Sequence, residues 1–345
     1  MATRRLINVA QRPVYMNEGQ DDVCDLPQSV AMHLLKSLVH DASLSVGLQP
    51  ELMEPIVKLS VDSFAHPHWS VRNAALQLHG AVIPRLIGAS SKTTAELFHK
   101  LPGLESFFFE KLAEQPEDRQ LVSGGLIPSL SILSRLSPAY GNESRNSLFT
   151  SRLMTLLGHP VVQVRQLAAQ SLLAFVSLFK TKWITMQLCE DAVILVTQKS
   201  SETPFHCCVL GSSTTNSLHG CLLAVFQFLS RSRDIALSVE DWEMIREAVS
   251  ALVPIENDHR SYYIKSAILK LFQMLPNMAG DLASFKAYRE ELVRKLYYNQ
   301  PGFSDWLRLK TELIVNKISL NCMLPAIDHL LPFYNGMVIF YYLCS

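Results

Sequence analysis

The chain has no surplus of charge of either sign, with 31 lysines and arginines against 31 aspartates and glutamates. Without a global field to draw it onto nucleic acid, any RNA contact has to come from a local patch. Charged residues make up only 18% of the chain against 48% hydrophobic ones, which excludes a disordered polymer and leaves enough apolar material for a real core. The signatures of nucleotide-, methyl-donor- and acyl-transfer enzymes are missing. There is no Gly-x-Gly-x-x-Gly turn, no phosphate loop and no Gly-x-Ser-x-Gly elbow, and the paired Gly124-Gly125 stands in a connection between helices. No cofactor and no small-molecule substrate is therefore expected, and the chain reads as a non-enzyme. No apolar run approaches the roughly 20 residues of a spanning helix. The longest clean one, Met337 to Cys344, is far too short for membrane insertion, and the N-terminus has no secretory apolar core. The seven cysteines form no framework of spacings, and their odd number fits free thiols in a reducing compartment, the cytosol.

What is present is an internal repeat. His66-Pro-His-Trp-Ser-Val-Arg-Asn-Ala-Ala-Leu recurs 93 residues later as His159-Pro-Val-Val-Gln-Val-Arg-Gln-Leu-Ala-Ala. In each copy a proline at an expected first helical position precedes a Val-Arg pair and small residues, then an apolar face: Leu78, Val82 and Leu86 in one, Leu172, Phe175 and Phe179 in the other. Alanines at such places let neighbouring helices approach closely. The interval is about two periods of a HEAT or armadillo unit of roughly 40 to 47 residues. No stretch of comparable length alternates with period two. The expected fold is all-α, a HEAT/armadillo-type solenoid of stacked helix pairs, an architecture that offers binding surfaces before active sites.

Along the chain, residues 1–26 are polar and proline-punctuated and are expected to be poorly ordered, 27–320 to form the helical-repeat domain, and 321–345 to be an apolar tail. Leu34, Leu35 and Leu38 predict one short apolar face; Leu52, Ile56 and Leu59 predict the next. The first repeat helix is predicted over Pro67 to about Ile87, with Gly88 as its left-handed cap. Helical pattern resumes at Leu97 and breaks near Pro102-Gly103; it returns over Leu126–Leu136 and Leu148–Leu157, and again in the second copy over Pro160 to about Phe179. Leu218, Leu222, Val225 and Leu229 form a further face, as do Ile264, Ala267, Ile268, Leu271, Phe272 and Leu275. Ser238-x-x-Asp241 is a capping box for a helix carrying Trp242, Ile245, Val249 and Leu252.

Arg72 and Arg165 occupy equivalent places in the repeat. In stacked helical units such an arginine forms a ladder with acidic or backbone acceptors, and that role is expected ahead of phosphate or partner contact. Arg85, Lys92 and Lys100 surround the loop after the first repeat helix, where a solvated face is expected ahead of a basic edge. Trp69, replaced by Val162 in the second copy, is expected to pack; its alternative role is a stacking platform for a base. His206-Cys207-Cys208 with His219 and Cys221 invites a zinc reading, but adjacent cysteines lack the spacing of ligand pairs, so buried thiols and no metal are expected.

Several motifs in order carry a resemblance. Trp69-x-Val-Arg-Asn73 leading to Arg85-Leu-Ile-Gly88, then Glu96-Leu-Phe-His-Lys-Leu-Pro-Gly-Leu, His159-Pro to Phe175, and Asn216-Ser-Leu-His-Gly-Cys-Leu-Leu-Ala-Val-Phe resemble the thyroid adenoma-associated protein (THADA) family and its fungal counterparts. The likeness covers roughly residues 27 to 275. It implies an armadillo-type, non-catalytic scaffold that partners a cytosolic FtsJ-like methyltransferase and directs 2′-O-methylation of ribose 32 in the tRNA anticodon arm. Family members are far longer and carry an Arg-Arg-Ser-Ala-Gly segment upstream, so a C-terminal piece or short isoform is expected. By carry-over, Trp69, Arg72, Asn73, Arg85, His219 and Gly220 match the family motifs, and with Lys92 and Arg165 they are the candidate contacts for tRNA or partner. The competing reading is a general protein-interaction adaptor unrelated to RNA.

Overall fold

A computed structural model describes residues 2–14, 26–41, 50–88, 92–113, 124–137, 143–197, 214–230 and 237–251, with Ile264, Ala267, Ile268, Lys270 and Leu271. All of them fall in one compact unit; a second unit, Val253–His259 with Phe272–Ser345, lies outside the described residues, as does the expected apolar tail. The described residues form twelve α-helices, and their only β pairing is an isolated bridge between Thr93 and Ser137.

The helices are α1 (Ala2–Ala10), α2 (Pro27–His40), α3 (Pro50–Asp62), α4 (Trp69–Ile87), α5 (Thr94–Lys100) and α6 (Gly103–Ala113). They continue as α7 (Leu126–Leu133), α8 (Glu143–Leu156), α9 (Val162–Phe175), α10 (Leu178–Thr197), α11 (Thr214–Ser230) and α12 (Val239–Ala251). They form two layers. In one, α2 lies on α4, α7 on α9 and α9 on α11; in the other, α1 lies on α3, α3 on α6, α6 on α8 and α10 on α12. Helices of the second layer also pack on their successors in the first, as α1 does on α2, α3 on α4, α8 on α9 and α10 on α11. This is the stack of helix pairs predicted from the repeat, and the two His-Pro copies, before α4 and α9, stand two steps apart in it.

Side-chain bonds fix the register of the first layer. Ser29 meets Ser70 through their hydroxyls at 3.0 Å, Lys36 donates to Gln77 Oε1 at 2.8 Å, and Arg85 reaches the Val39 carbonyl at 2.8 Å, so α2 and α4 run parallel. The faces so buried hold Ala31, Met32, Leu35 and Val39 of α2 and Ala74, Ala75, Leu78 and Val82 of α4. Each fully buried leucine stabilises the stack by about 1.5–3 kcal/mol. Between α5, α6, α8 and α9, Phe149 stacks on Phe175 at 4.5 Å and also meets Phe98 and Phe109.

Several expectations need correction. Residues 2–10, expected to be poorly ordered, form α1, because Ile7 and Ala10 are buried where α1 packs on α2 and α3. Leu34 is 49% exposed, since α2 turns Met32, Leu35 and Val39 inward. The helical pattern expected from Leu148 begins earlier, because α8 starts at Glu143. Pro67 and Pro160 stand one residue before the N-caps, His68 and Val161, and not inside their helices. Gly88 caps α4 with a positive φ of 74° but a ψ of −172°, so it is extended rather than in the expected left-handed helical conformation; the Ser238–Asp241 capping box is formed, with Asp241 N–H donating to Ser238 Oγ at 3.2 Å and Ser238 N–H to Asp241 Oδ2 at 2.7 Å. A second such box, Thr93 with Glu96, starts α5.

Candidate functional site

The geometry before α4 and α9 explains why the repeated motif needs its residue types. In both copies the histidine ring accepts the backbone N–H two residues on: His68 N–H donates to His66 Nδ1 at 3.0 Å and Val161 N–H to His159 Nδ1 at 3.1 Å. The arginine on the first turn points back toward the helix start, as side chains in helices do, and donates to the carbonyls of the His-Pro pair. Arg72 Nη1 reaches the His66 carbonyl at 2.8 Å and that of Pro67 at 2.5 Å; Arg165 Nη1 reaches those of His159 and Pro160 at 2.6 and 2.9 Å. A cation at a helix N-terminus opposes the macrodipole, and the two carbonyls offset that cost. Both ring nitrogens act as acceptors, so His66 and His159 are neutral, and burial lowers the pKa of each.

The second copy goes further. Arg165 is buried, and its Nε donates to His219 Nδ1 at 3.1 Å while Nη1 also reaches Asn216 Oδ1 at 3.0 Å. One turn along α11, Gly220 lies beneath the Leu157 carbonyl: a Cβ built there would fall 2.0 Å from that oxygen. Asn216, His219 and Gly220 thus dock as a unit on the chain between α8 and α9. His219 is held neutral, its pKa lowered to about 4 by burial first and by the Arg165 charge second. Arg165 bridges to the next unit, as expected of a ladder residue, but through a histidine nitrogen and an amide oxygen in place of the expected acidic or backbone acceptors. Arg72 is exposed and bonds the carbonyls of its own loop, so within the described residues it does not bridge to the next unit.

The carried-over candidates therefore divide. Arg165, His219 and Gly220 are buried, which corrects their assignment as contacts for tRNA or partner. His219 and Gly220 also lie inside α11, which starts at Thr214, and do not open it. Trp69, Arg72 and Asn73 share the open face of α4 with Leu76; Trp69 is 45% and Leu76 56% exposed. Trp69, expected to pack, stacks on the buried His68 ring with centroids 6.3 Å apart and leaves much of its indole open. Arg85 Nε and Nη2 donate to the Val39 and His40 carbonyls at 2.8 and 3.1 Å, closing the C-terminus of α2, and Lys92 Nζ donates to the Leu86 carbonyl at 2.7 Å, closing that of α4. Both satisfy helix-end carbonyls that would otherwise lack partners.

Sequence reasoning passed over His79. Its Nε2 donates to Ser131 Oγ of α7 at 2.9 Å, its Nδ1 lies 3.4 Å from Ser60 Oγ of α3, and burial lowers its pKa to about 4. The available signal was the recurrence of Leu-His-Gly at 78–80 and 218–220. Of the residues considered for zinc, His206, Cys207 and Cys208 lie outside the described residues; Cys221 is buried as a free thiol, and among the described residues no three His, Cys, Asp or Glu side chains form a ligand set. No helix among them is long and apolar enough to cross a membrane.

Buried interlocks joining successive helix pairs, with polar and aromatic residues left on one outer face, define a helical-repeat scaffold. Two family models match this chain in sequence order: the THADA/TRM732 domain DUF2428 over residues 1–70 and the Trm732 C-terminal TPR repeats over residues 72–228. The chain belongs to the THADA/TRM732 family. The match starts at residue 1, earlier than the motifs alone indicated. Among its relatives are the tRNA (32-2′-O)-methyltransferase regulator trm732 of Schizosaccharomyces pombe, 31% identical over 53% of this chain, and the regulators named THADA of Gallus gallus, 26% over 86%, and Homo sapiens, 27% over 62%. The chain spans between 11% and 17% of the length of these relatives.

Proposed function

We propose that this chain is part of a non-catalytic scaffold that regulates a tRNA 2′-O-methyltransferase of the FtsJ-like type, acting on ribose 32 of the anticodon arm in the cytosol. The observation that carries the reading is the split of the family motifs: Arg165, Asn216, His219 and Gly220 are absorbed in packing between helices, whereas Trp69, Arg72 and Asn73 lie on the exposed face of α4. The relatives' names supply the reaction. On that face the open indole offers a stacking surface for an unpaired base, and Arg72, with two donations made through Nη1, keeps Nε and Nη2 for a phosphate. Arg85 and Lys92 add charge near the other end of α4.

The test is binding of an anticodon stem-loop RNA by the chain together with the methyltransferase, read at several salt concentrations. Trp69→Ala is expected to weaken binding by about tenfold, and Arg72→Gln to lower the salt dependence, because fewer counterions are released. Affinity independent of salt and of both substitutions would overturn the RNA reading and favour the adaptor reading, which the balanced charge of the chain also supports.

A further inference from the structure

The outer face of the first layer carries a second feature that the α4 contacts do not use. Across α7, α9 and α11 runs a groove of about 500 Å³. Ile127, Leu167 and Leu173 supply its apolar part. Over them stand three primary amides, Gln163 and Gln170 of α9 and Gln227 of α11, none of which makes a side-chain hydrogen bond with the described residues. Three hydroxyls also line it, and all have committed their protons: Ser131 donates to the Pro128 carbonyl at 2.8 Å, Ser134 to that of Ser131 at 3.3 Å and Ser230 to that of Gln227 at 2.7 Å. Ser131 Oγ is also bonded to His79 Nε2 at 2.9 Å. Arg135 is the single charged residue of the lining; its Nη1 donates to the Ser131 carbonyl, and its Nε and Nη2 are uncommitted.

This chemistry selects among ligands. A nucleic-acid strand carries one charge per nucleotide and calls for several cations along its track, whereas this lining offers one. A primary amide presents a donor and an acceptor side by side, the complement of a main-chain N–H and C=O in extended conformation. Gln163 and Gln170 stand about 10 Å apart along α9 and Gln227 lies on the adjacent α11 about 8–10 Å away, so the three amides spread over roughly 20 Å, the length of about six residues of extended chain. We propose that this groove binds an extended polypeptide segment of about six residues, its main chain paired to Gln163, Gln170 and Gln227 and an acidic side chain or terminal carboxylate placed at Arg135. The proposal does not depend on what the α4 face binds.

The probe is a phage-displayed hexapeptide library selected on the full 345-residue chain, with selected sequences resynthesised and measured by fluorescence anisotropy. Selected peptides are expected to carry an acidic group at one end. The triple variant Gln163→Ala, Gln170→Ala, Gln227→Ala should weaken them by at least about tenfold without moving the melting temperature, the loss expected for a few neutral hydrogen bonds. Should the triple variant fold poorly, Gln170→Glu keeps the shape, removes a donor and is expected to weaken binding in the same direction. Arg135→Gln should abolish the preference for acidic peptides. Peptides whose affinity survives the glutamine substitutions would overturn the proposal. So would a ten-nucleotide oligouridine that displaces the peptides at lower concentration and is itself lost with the glutamines, which would make the groove an RNA site.

Discussion

At the scale of single residues, positions with the same local sequence have opposite sensitivities. Gly80 and Gly220 both follow a Leu-His pair inside a helix, yet a Cβ on Gly80 meets nothing within 4 Å and one on Gly220 would strike the Leu157 carbonyl. Gly80→Ala should therefore gain up to about 1 kcal/mol from helix propensity alone. Gly220→Ala should lose about 1–3 kcal/mol or more, because backbone must move to make room. Urea unfolding of the two variants checks both signs. The arginines divide likewise. Arg165→Ala strands Asn216, His219 and two carbonyls in the interior and is expected to cost about 3 kcal/mol, whereas Arg72→Ala frees carbonyls that water can reach and should cost less than about 1 kcal/mol. Equal losses would show that Arg72 is as structural as its counterpart.

At the scale of the element, helices are joined through neutral histidines, and this gives the fold a pH dependence. His79 ties α4 to α7 and His219 ties α11 to α9, each with a folded-state pKa of about 4 against an ordinary 6.5. Between these values the unfolded chain takes up protons that the folded one refuses, so the contribution is complete above pH 6.5 and is lost as the pH falls toward 4. The slope is up to about 1.4 kcal/mol per pH unit for each histidine. Unfolding free energies measured from pH 7.5 to 4.5 should fall less steeply in the double variant His79→Gln, His219→Gln, and parallel curves would refute the assignment. The helices themselves were largely legible, since a 3.6-residue apolar period, a capping box and a glycine cap are local signals; α4 ends at Gly88 as its sequence indicates. The starts of α4 and α9 were misplaced because proline can serve either inside the first turn or just before the cap, and the choice here is made by an arginine reaching back to the His-Pro carbonyls. Leu34 was misread for a similar reason, as three leucines in five positions cannot all face one neighbour. The burial of Gly220 and His219 depends on a backbone some 60 residues away, which no local pattern encodes.

At the scale of the whole molecule, the described unit is a chain of nearest-neighbour joints, and stability in such a stack is a sum of units and interfaces, so damage should stay local. The joint at Leu157, Arg165 and Gly220 is the densest polar connection between α9 and α11, and α11 in turn packs on α10, which carries α12. Opening it in Arg165→Ala should release α10–α12 while α1–α4, held by Ser29–Ser70, Lys36–Gln77 and Arg85 on the α2 carbonyls, keep their protection. Hydrogen exchange read by mass spectrometry is expected to show faster exchange over residues 178–251 and unchanged rates over 2–87. The open face of α4 lies in the retained part, so the same variant should still bind anticodon stem-loop RNA with near-normal affinity, whereas the peptide groove, which needs Gln227 on α11, should lose its ligand. A uniform rise in exchange across the unit would mean that it unfolds as one cooperative body, and the separation of the two surfaces by their supporting joints would be wrong.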